Sequence, residues 1–360
     1  MNIAIVGCGN IADTHAGALA QLGQKLVAAV DRNEERAAAF ALKWHADRFS
    51  TQFADALTEE VDCVHVCTPP ALHYEMLKQI LLAGKHVICE KPLCLKKEQA
   101  RELWELAEKN KLVAAVNFNV RYHEACGRAK ALITAADFGN IHLISGSYKQ
   151  EFHVLPTQYM WRYMPELAGP MRAVTEIGSH WIDLVRFWTG LEITKVSATF
   201  GCFHPERTIK DGMMYPRQAG DEMEKVVVAS EDAACVTFRF SGGALGTLLL
   251  SEVSHGRSNQ VRLEVSSARQ SVWWDSESPY QLHQARKSSG VITNVNAFGG
   301  GFPDTFAGFF QDIYQTLNSR NQQSAEYKCM YPSFFDGYQN IAVCEAIYQS
   351  AVNDSCWVEV

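Results

Sequence analysis

Met1-Asn-Ile-Ala-Ile-Val6-Gly7-Cys-Gly9-Asn10-Ile11-Ala12 is the stretch that decides the fold. A short apolar run, Ile3 to Val6, ends at Gly-x-Gly-x-x-Ala, and the helix formers Ala16, Ala18 and Leu19 follow at once. Strand, glycine turn and helix in that order set a helix N-terminus over the crevice at the strand end. Gly7 permits the tight turn, Gly9 lets backbone N–H groups approach a pyrophosphate, and Ala12 allows close helix–strand packing. Asn10 and Ile11 complete the stretch that would wrap the phosphates, which face the positive end of the helix dipole. The plain alternative is an ordinary tight turn into a helix.

Asp31 favours the nucleotide reading. It ends the second apolar run, Leu26 to Val30, about 20 residues past the glycines, where a carboxylate binds both ribose hydroxyls of an adenosine. A carboxylate there repels a 2′-phosphate and points to NAD. Arg32 beside it can pair with that phosphate, which keeps NADP as the alternative cofactor. The other reading of Asp31 is a cap for a helix starting near Asn33.

Length and composition set the frame. The 360 residues are enough for two domains, and 47% hydrophobic with 20% charged residues is a globular composition. A net charge of −7 gives no pull toward nucleic acid or an anionic membrane. No apolar run reaches the roughly 18 residues of a membrane span. The chain opens directly on a strand, so no signal peptide is expected. The 11 cysteines sit mostly in apolar runs such as those of Cys63, Cys67, Cys89 and Cys235. Their spacing lacks the paired C-x-x-C of a zinc site, so they read as reduced thiols in a cytoplasmic protein, with no metal expected.

Apolar runs at 2–6, 25–30, 61–67, 85–89 and 112–117 alternate with helix-period segments near 11–22, 33–44, 71–84 and 97–110. This βαβ repetition predicts a doubly wound parallel sheet over residues 1–121, all strand ends on one edge. Residues 122–360 read as a second α/β domain, for substrate binding and oligomerisation. In it, a helix near 122–136 precedes alternating runs at 141–150, 193–203, 224–239, 244–254, 260–267 and 270–274. They suit a large, mostly antiparallel open sheet, with a hairpin at Phe240–Leu245 and helices near 178–189, 304–318 and 332–351. The stretch 203–222 reads as a loop. Val226, Val228, Phe238, Leu248 and Leu250 exceed what a few helices cover, which predicts a homodimer or homotetramer through the sheet.

Three constellations carry chemistry. Cys89-Glu90-Lys91-Pro92 ends the fourth run on the same edge as the glycine loop. There Lys91 can stabilise alkoxide character at a reacting C–OH, or be a solvated turn residue. Cys67-Thr68-Pro69-Pro70 with His73 reads either as a wall for the nicotinamide ribose or as a Pro-initiated helix with His73 on its surface. In Glu176-Ile-Gly-Ser-His180-Trp-Ile-Asp183, Glu176 and His180 stand four apart on one predicted helical face. A carboxylate beside an imidazole sets its tautomer and suits a general base. The alternative is a packed core histidine.

GCGNIA, Asp31, CTPPALH, EKP, Asn117-Phe-Asn-Val-Arg121-Tyr, Trp161-Arg162, EIGSHWID, Pro332-Ser-Phe-Phe-Asp-Gly337 and Ala346-Ile-Tyr-Gln-Ser350 together resemble one family. It is the glucose–fructose oxidoreductase / inositol dehydrogenase / rhizopine-catabolism (Gfo/Idh/MocA) family. The resemblance implies NAD or NADP and oxidoreduction at a sugar or cyclitol carbon. It implies Lys91 as the catalytic lysine, His180 as acid/base, and Glu176 in place of the family's usual aspartate. It puts Trp161 and Arg162 near the nicotinamide, Asn117 at the cofactor pocket, and Glu90 on the cofactor side of its turn. Ser254-His-Gly-Arg-Ser-Asn-Gln260 and Gly299-Gly-Gly-Phe-Pro-Asp-Thr-Phe306 resemble a branch acting on hexose-type sugars, or are two ordinary loops. His255, Arg257 and Asn259 suit a polyhydroxylated ligand. The expected activity is hydride transfer between the cofactor and a sugar or polyol carbon. A redox-neutral, NAD-dependent glycoside hydrolase and a non-catalytic sugar sensor are the competing readings.

Overall fold

A computed structural model describes residues 1–297, 300–321 and 330–360. Gly299 of the second sugar-type stretch and Cys329 lie outside the described residues.

The first elements are β1 (Asn2–Val6), α1 (Asn10–Gln21), β2 (Lys25–Val30), α2 (Glu34–Trp44) and β3 (Arg48–Ser50). They continue with β4 (Cys63–Val66), α3 (His73–Leu82), β5 (His86–Cys89), α4 (Lys97–Lys109) and β6 (Ala114–Val116). The strands form one parallel sheet in the order β3-β2-β1-β4-β5-β6. That order reverses direction beside β1, so a crevice opens at the strand ends where Gly7 sits.

Next come α5 (Glu124–Ile133), β7 (Ile141–Lys149), β8 (Thr157–Gln158), α6 (Pro165–Ala168), α7 (Ser179–Thr189) and β9 (Ile193–Gly201). β10 (Glu206–Lys210), β11 (Met213–Pro216), β12 (Glu224–Val227), β13 (Ala233–Phe240) and β14 (Leu245–Ser251) follow. The chain ends with β15 (Gln260–Ser267), β16 (Gln270–Asp275), β17 (Gln281–Arg286), β18 (Gly290–Val295), α8 (Phe302–Asn321), α9 (Phe334–Val352) and β19 (Val358–Glu359).

The chain forms two compact units: Met1–Tyr122 with Gly300–Ile341, and His123–Gly299 with Ala342–Val360. A single domain over 122–360 is therefore corrected. α8 belongs with the parallel sheet because Phe306, Phe309, Phe310 and Ile313 pack on Ile3, Ile5, Ile88 and Ala115. The pleat sends Ala4, Val6, Val64 and Val66 to the opposite face, under Leu77, Ile80, Leu103 and Phe334.

In the second unit nine strands form the sheet β18-β17-β16-β15-β7-β14-β13-β9-β19. Pairing is antiparallel throughout except between β14 and β7. Alternation places Phe238, Leu248 and Leu250 inside, with Trp181 stacked on Phe238 at 5.6 Å. Gly146 of β7 lies under that indole: a Cβ there would meet Trp181 Nε1 and the Arg262 carbonyl oxygen at 2.2 Å.

Two expectations change here. The stretch 203–222 is not a loop throughout; β10 and β11 join β12 and β8 in a small antiparallel sheet. Its own core is Tyr163, Met214 and Val228, with Val226 packed against it. Phe238, Leu248, Leu250 and Val228 are buried, so they are not the outer face. That face instead carries exposed Leu143, Leu245 and Leu249. Among the described residues no helix is long and apolar enough to cross a membrane.

Candidate functional site

In the first unit, Gly7 has φ +89°, and a Cβ there would meet the Cys67 carbonyl oxygen at 2.8 Å. Only glycine fits where β1 turns beside β4. Among the described residues nothing lies within 4 Å of where a Cβ on Gly9 would stand. Gly9 caps α1 with no side-chain hydrogen bond, so the first-turn N–H groups over Asn10 and Ile11 suit a phosphate.

Asp31 is buried at the end of β2, accepting from the Cys8 N–H and the Asn33 N–H at 2.9 Å each. Arg36 lies 3.7 Å away, and Arg32 is exposed. The helix cap is Asn33, whose side chain accepts from the Arg36 N–H, so the capping alternative for Asp31 is overturned. The glycine turn and the fixed carboxylate together fit an adenine dinucleotide.

Thr68 and Pro69 open the turn after β4. His73 is not on a helix surface: it is fully buried, with Nε2 2.8 Å from the Thr68 carbonyl and Nδ1 2.9 Å from the Pro92 carbonyl. Both ring nitrogens face these carbonyls, so neither is left for a ribose, and the neutral ring donates to one of the two. Burial lowers its pKa against the opposing backbone hydrogen bonds.

Glu90 is buried and accepts hydrogen bonds at Oε1 from Asn117 Nδ2 and His15 Nε2. Although burial is the largest influence and raises it, the His15 and Asn117 hydrogen bonds and the Lys91 charge hold its carboxyl below the usual range. Half-buried Lys91 follows it.

In the second unit the segment before α7 is π-helical over Val174–Gly178. The wider turn places Glu176 and His180 on opposite sides of a change in helical pitch, not on one regular α-helical face. A Cβ on Gly178 would stand 2.7 Å from Leu250 Cδ1, which seats this turn on β14. Glu176 accepts from Arg162 Nε at 2.9 Å, and Arg162 lies 4.5 Å over the Trp161 ring. His180 is buried, its ring 6.3 Å from Tyr148. The Tyr148 hydroxyl and Gln150 Nε2 both donate to Asn259 Oδ1 at 2.8 Å. Arg257, in contrast, pairs with Glu277, and His255 is exposed.

Tyr148 and Gln150 were not singled out from sequence; their signal is the alternation of β7 and its continuation, which turns both inward. Behind Glu176 lies a buried charge network that no sequence motif marked. Arg172 pairs with Asp232 and with Glu252, the latter at 3.1 Å, and Arg207 pairs with Asp232 at 3.0 Å. His153, pushed down to about 2 by burial and then by Arg172, Arg162 and Arg207, is neutral. Its ligand atoms, with those of Glu176 and Glu252, lie within 4.8 Å of one another. Arg162 and Arg172 already neutralise those two carboxylates, so the chemistry of this set does not call for a metal ion.

Comparison with known proteins agrees with this architecture. An oxidoreductase family model with an NAD-binding Rossmann fold matches residues 1–118, and the Gfo/Idh/MocA C-terminal domain matches 127–272. The chain belongs to the Gfo/Idh/MocA oxidoreductase family. Levoglucosan dehydrogenase of Pseudarthrobacter phenanthrenivorans is 27% identical over 100% of this chain and 98% of that protein. D-glucoside 3-dehydrogenase of Escherichia coli is 28% identical over 68% of each. A levoglucosan dehydrogenase structure in complex with NADH and levoglucosan superposes with a TM-score of 0.88 at 26% identity, over 100% of this chain and 99% of that one.

Proposed function

We propose that this protein is an NAD-dependent dehydrogenase acting on a ring hydroxyl of a pyranose sugar, sugar derivative or cyclitol. The observation that carries the reading is Asp31, held by two backbone N–H groups at the end of β2 beyond an open glycine turn. Full-length similarity to a levoglucosan dehydrogenase supports the substrate class.

Gly7, Gly9, Asn10 and Ile11 would hold the pyrophosphate, Asp31 the adenosine ribose, and Thr68, Pro69, Glu90 and Asn117 the nicotinamide half. Trp161 and Arg162 complete the cofactor set. Bound NAD⁺ supplies the hydride acceptor. His180 takes the hydroxyl proton, and Lys91 stabilises the oxyanion that develops. Arg162 fixes the Glu176 carboxylate, and Glu176 orients the acid/base chemistry of its helix. Tyr148, Gln150 and Asn259 offer the paired donors and acceptors that sugar hydroxyls need.

The exposed Leu143, Leu245 and Leu249 lie on neighbouring strands, with Leu143 opposite Leu245, and support a homodimer or homotetramer through the sheet. No disulfide joins the ten described cysteines, which suits the reducing cytoplasm. The test is an NAD⁺-coupled absorbance screen over levoglucosan, methyl glucosides, free hexoses and inositols. NADH formation with at least one of them is expected. Glycoside cleavage without net NADH would favour the hydrolase reading and refute this one.

A further inference from the structure

A row of buried titratable groups in the first unit links Glu90 to His15, His65 and Tyr314, three residues with no part in the chemistry proposed above. It starts at Glu90 and runs away from the EKP turn. His15 Nε2 lies 2.9 Å from Glu90 Oε1. His15 Nδ1 lies 2.9 Å from His65 Nδ1. His65 Nε2 lies 2.8 Å from the Tyr314 hydroxyl of α8. Both imidazoles are 0% exposed; Phe310 packs on both rings and Phe306 on that of His15.

Proton counting fixes most of this row. Each contact holds one proton. With Glu90 ionised, the first proton sits on His15 Nε2. Two arrangements then remain. If His15 is neutral, His65 Nδ1–H donates to His15 Nδ1, and the Tyr314 hydroxyl donates to His65 Nε2. If His15 carries a second proton, both outer bonds reverse, and His65 Nε2–H donates to the Tyr314 oxygen. Charging both rings would set two N–H groups against each other at 2.9 Å, and His65 is held well below its usual range by burial and by His15. The two arrangements differ by one proton, yet both leave His15 Nε2–H donating to Glu90.

We propose that His15, His65 and Tyr314 are positioning residues that keep a donor on Glu90, and so keep it an anion beside Lys91, whatever the protonation of the row. This rests on the reading of Glu90 and Lys91 as the nicotinamide end of the dehydrogenase site. The other groups facing Glu90 are Asn117, Lys91, His73, Cys67 and Cys89. Burial pushes both thiols up and His73 down, so Lys91 is the remaining charged neighbour. Replacing His15 removes the donor that burial makes necessary.

The full chain labelled with 15N-histidine tests the row without any turnover. Long-range 1H–15N correlation from pH 6 to 8 should show His15 protonated at Nε2 throughout and His65 carrying a single ring proton. A bare His15 Nε2, or a His65 imidazolium, overturns the proposal. The second readout is the titration of the Glu90 carboxyl itself, followed by its side-chain 13C shift in glutamate-labelled protein and assigned with Glu90→Gln. His15→Phe should move that titration up by about one pH unit. His15→Gln, whose amide can donate to Glu90 and accept from His65, should return it. An unmoved Glu90 titration in a folded His15→Phe protein also overturns the proposal. If that variant does not fold, the tautomers of the unaltered chain decide. A screen with no active sugar would refute the dehydrogenase reading and leave the tautomer and titration results standing by themselves.

Discussion

Glu231 offers a sharp test of the buried charge network. Its carboxylate accepts from the backbone N–H groups of Arg172 and Val174, at the start of the helix that carries Glu176 and His180. Arg172, Arg207 and Arg162 are matched by Asp232, Glu252 and Glu176, so Glu231 is a surplus anion. Burial pushes it from the ordinary 4.5 up to about 7, against the pull of those backbone hydrogen bonds. The folded state therefore binds this proton more tightly than the unfolded chain. The residue's contribution to stability is greatest below 4.5, falls as pH rises to about 7, and is flat above. At about 1.4 kcal/mol per tenfold change in proton affinity, the charge costs about 3 kcal/mol at pH 8. Glu231→Gln removes that cost. It also turns an amide nitrogen toward one of the N–H groups, a loss of about 1 kcal/mol. The variant should be about 1 kcal/mol less stable than the parent at pH 4.5 and about 2 kcal/mol more stable at pH 8. Urea unfolding of both proteins across that range measures the difference. A constant difference, or a larger loss at pH 8, would mean that the ionised carboxylate holds the helix start, and the reasoning would fail.

Lys91→Ala and His180→Ala should each lower turnover by about 10² or more with NAD binding largely intact; near-normal turnover removes that residue from the mechanism. The protein should bind NAD(H) more tightly than NADP(H) in tryptophan-fluorescence titrations, and Asp31→Ala should narrow the gap. Equal or tighter NADP(H) binding by the unaltered chain would mean that Arg32 outweighs Asp31. Light scattering at micromolar concentration should give at least two chains; a clean monomer would refute the sheet-mediated assembly.

Local pattern made the parallel sheet legible, because strands buried on both faces read as continuous apolar runs. Arg48–Ser50 escaped because it is three residues long and lies on the sheet edge. β17 and β18 escaped because Gln281–Arg286 and Gly290–Val295 are largely polar or exposed. The parallel pairing of β14 with β7 is a long-range choice that no local period encodes. The glycine turn, Asp31 and the EKP turn announced themselves through spacing. Arg172, Asp232 and Glu252 did not, because charged residues are rarely buried and only their mutual pairing makes it tolerable. The Glu176–His180 spacing misled in detail because the count of four presumes an α-helical pitch, and Val174–Gly178 is wound wider.

The interrupted first unit has a consequence for how the protein is made. A ribosome completes the last strand of the parallel sheet at Val116. The helix that covers Ile3, Ile5, Ile88 and Ala115 emerges only with Phe302–Asn321. During all the intervening synthesis only α1 and α2, through Ala12, Ala16, Leu19 and Phe40, cover that face, and the part that Phe306, Phe309 and Phe310 fill stays open beside His15 and His65. Nascent chains in that state are natural clients for chaperones that hold apolar surface. A chain cut after Tyr122, at the apparent end of the nucleotide-binding half, would keep that gap open permanently and should aggregate rather than fold alone.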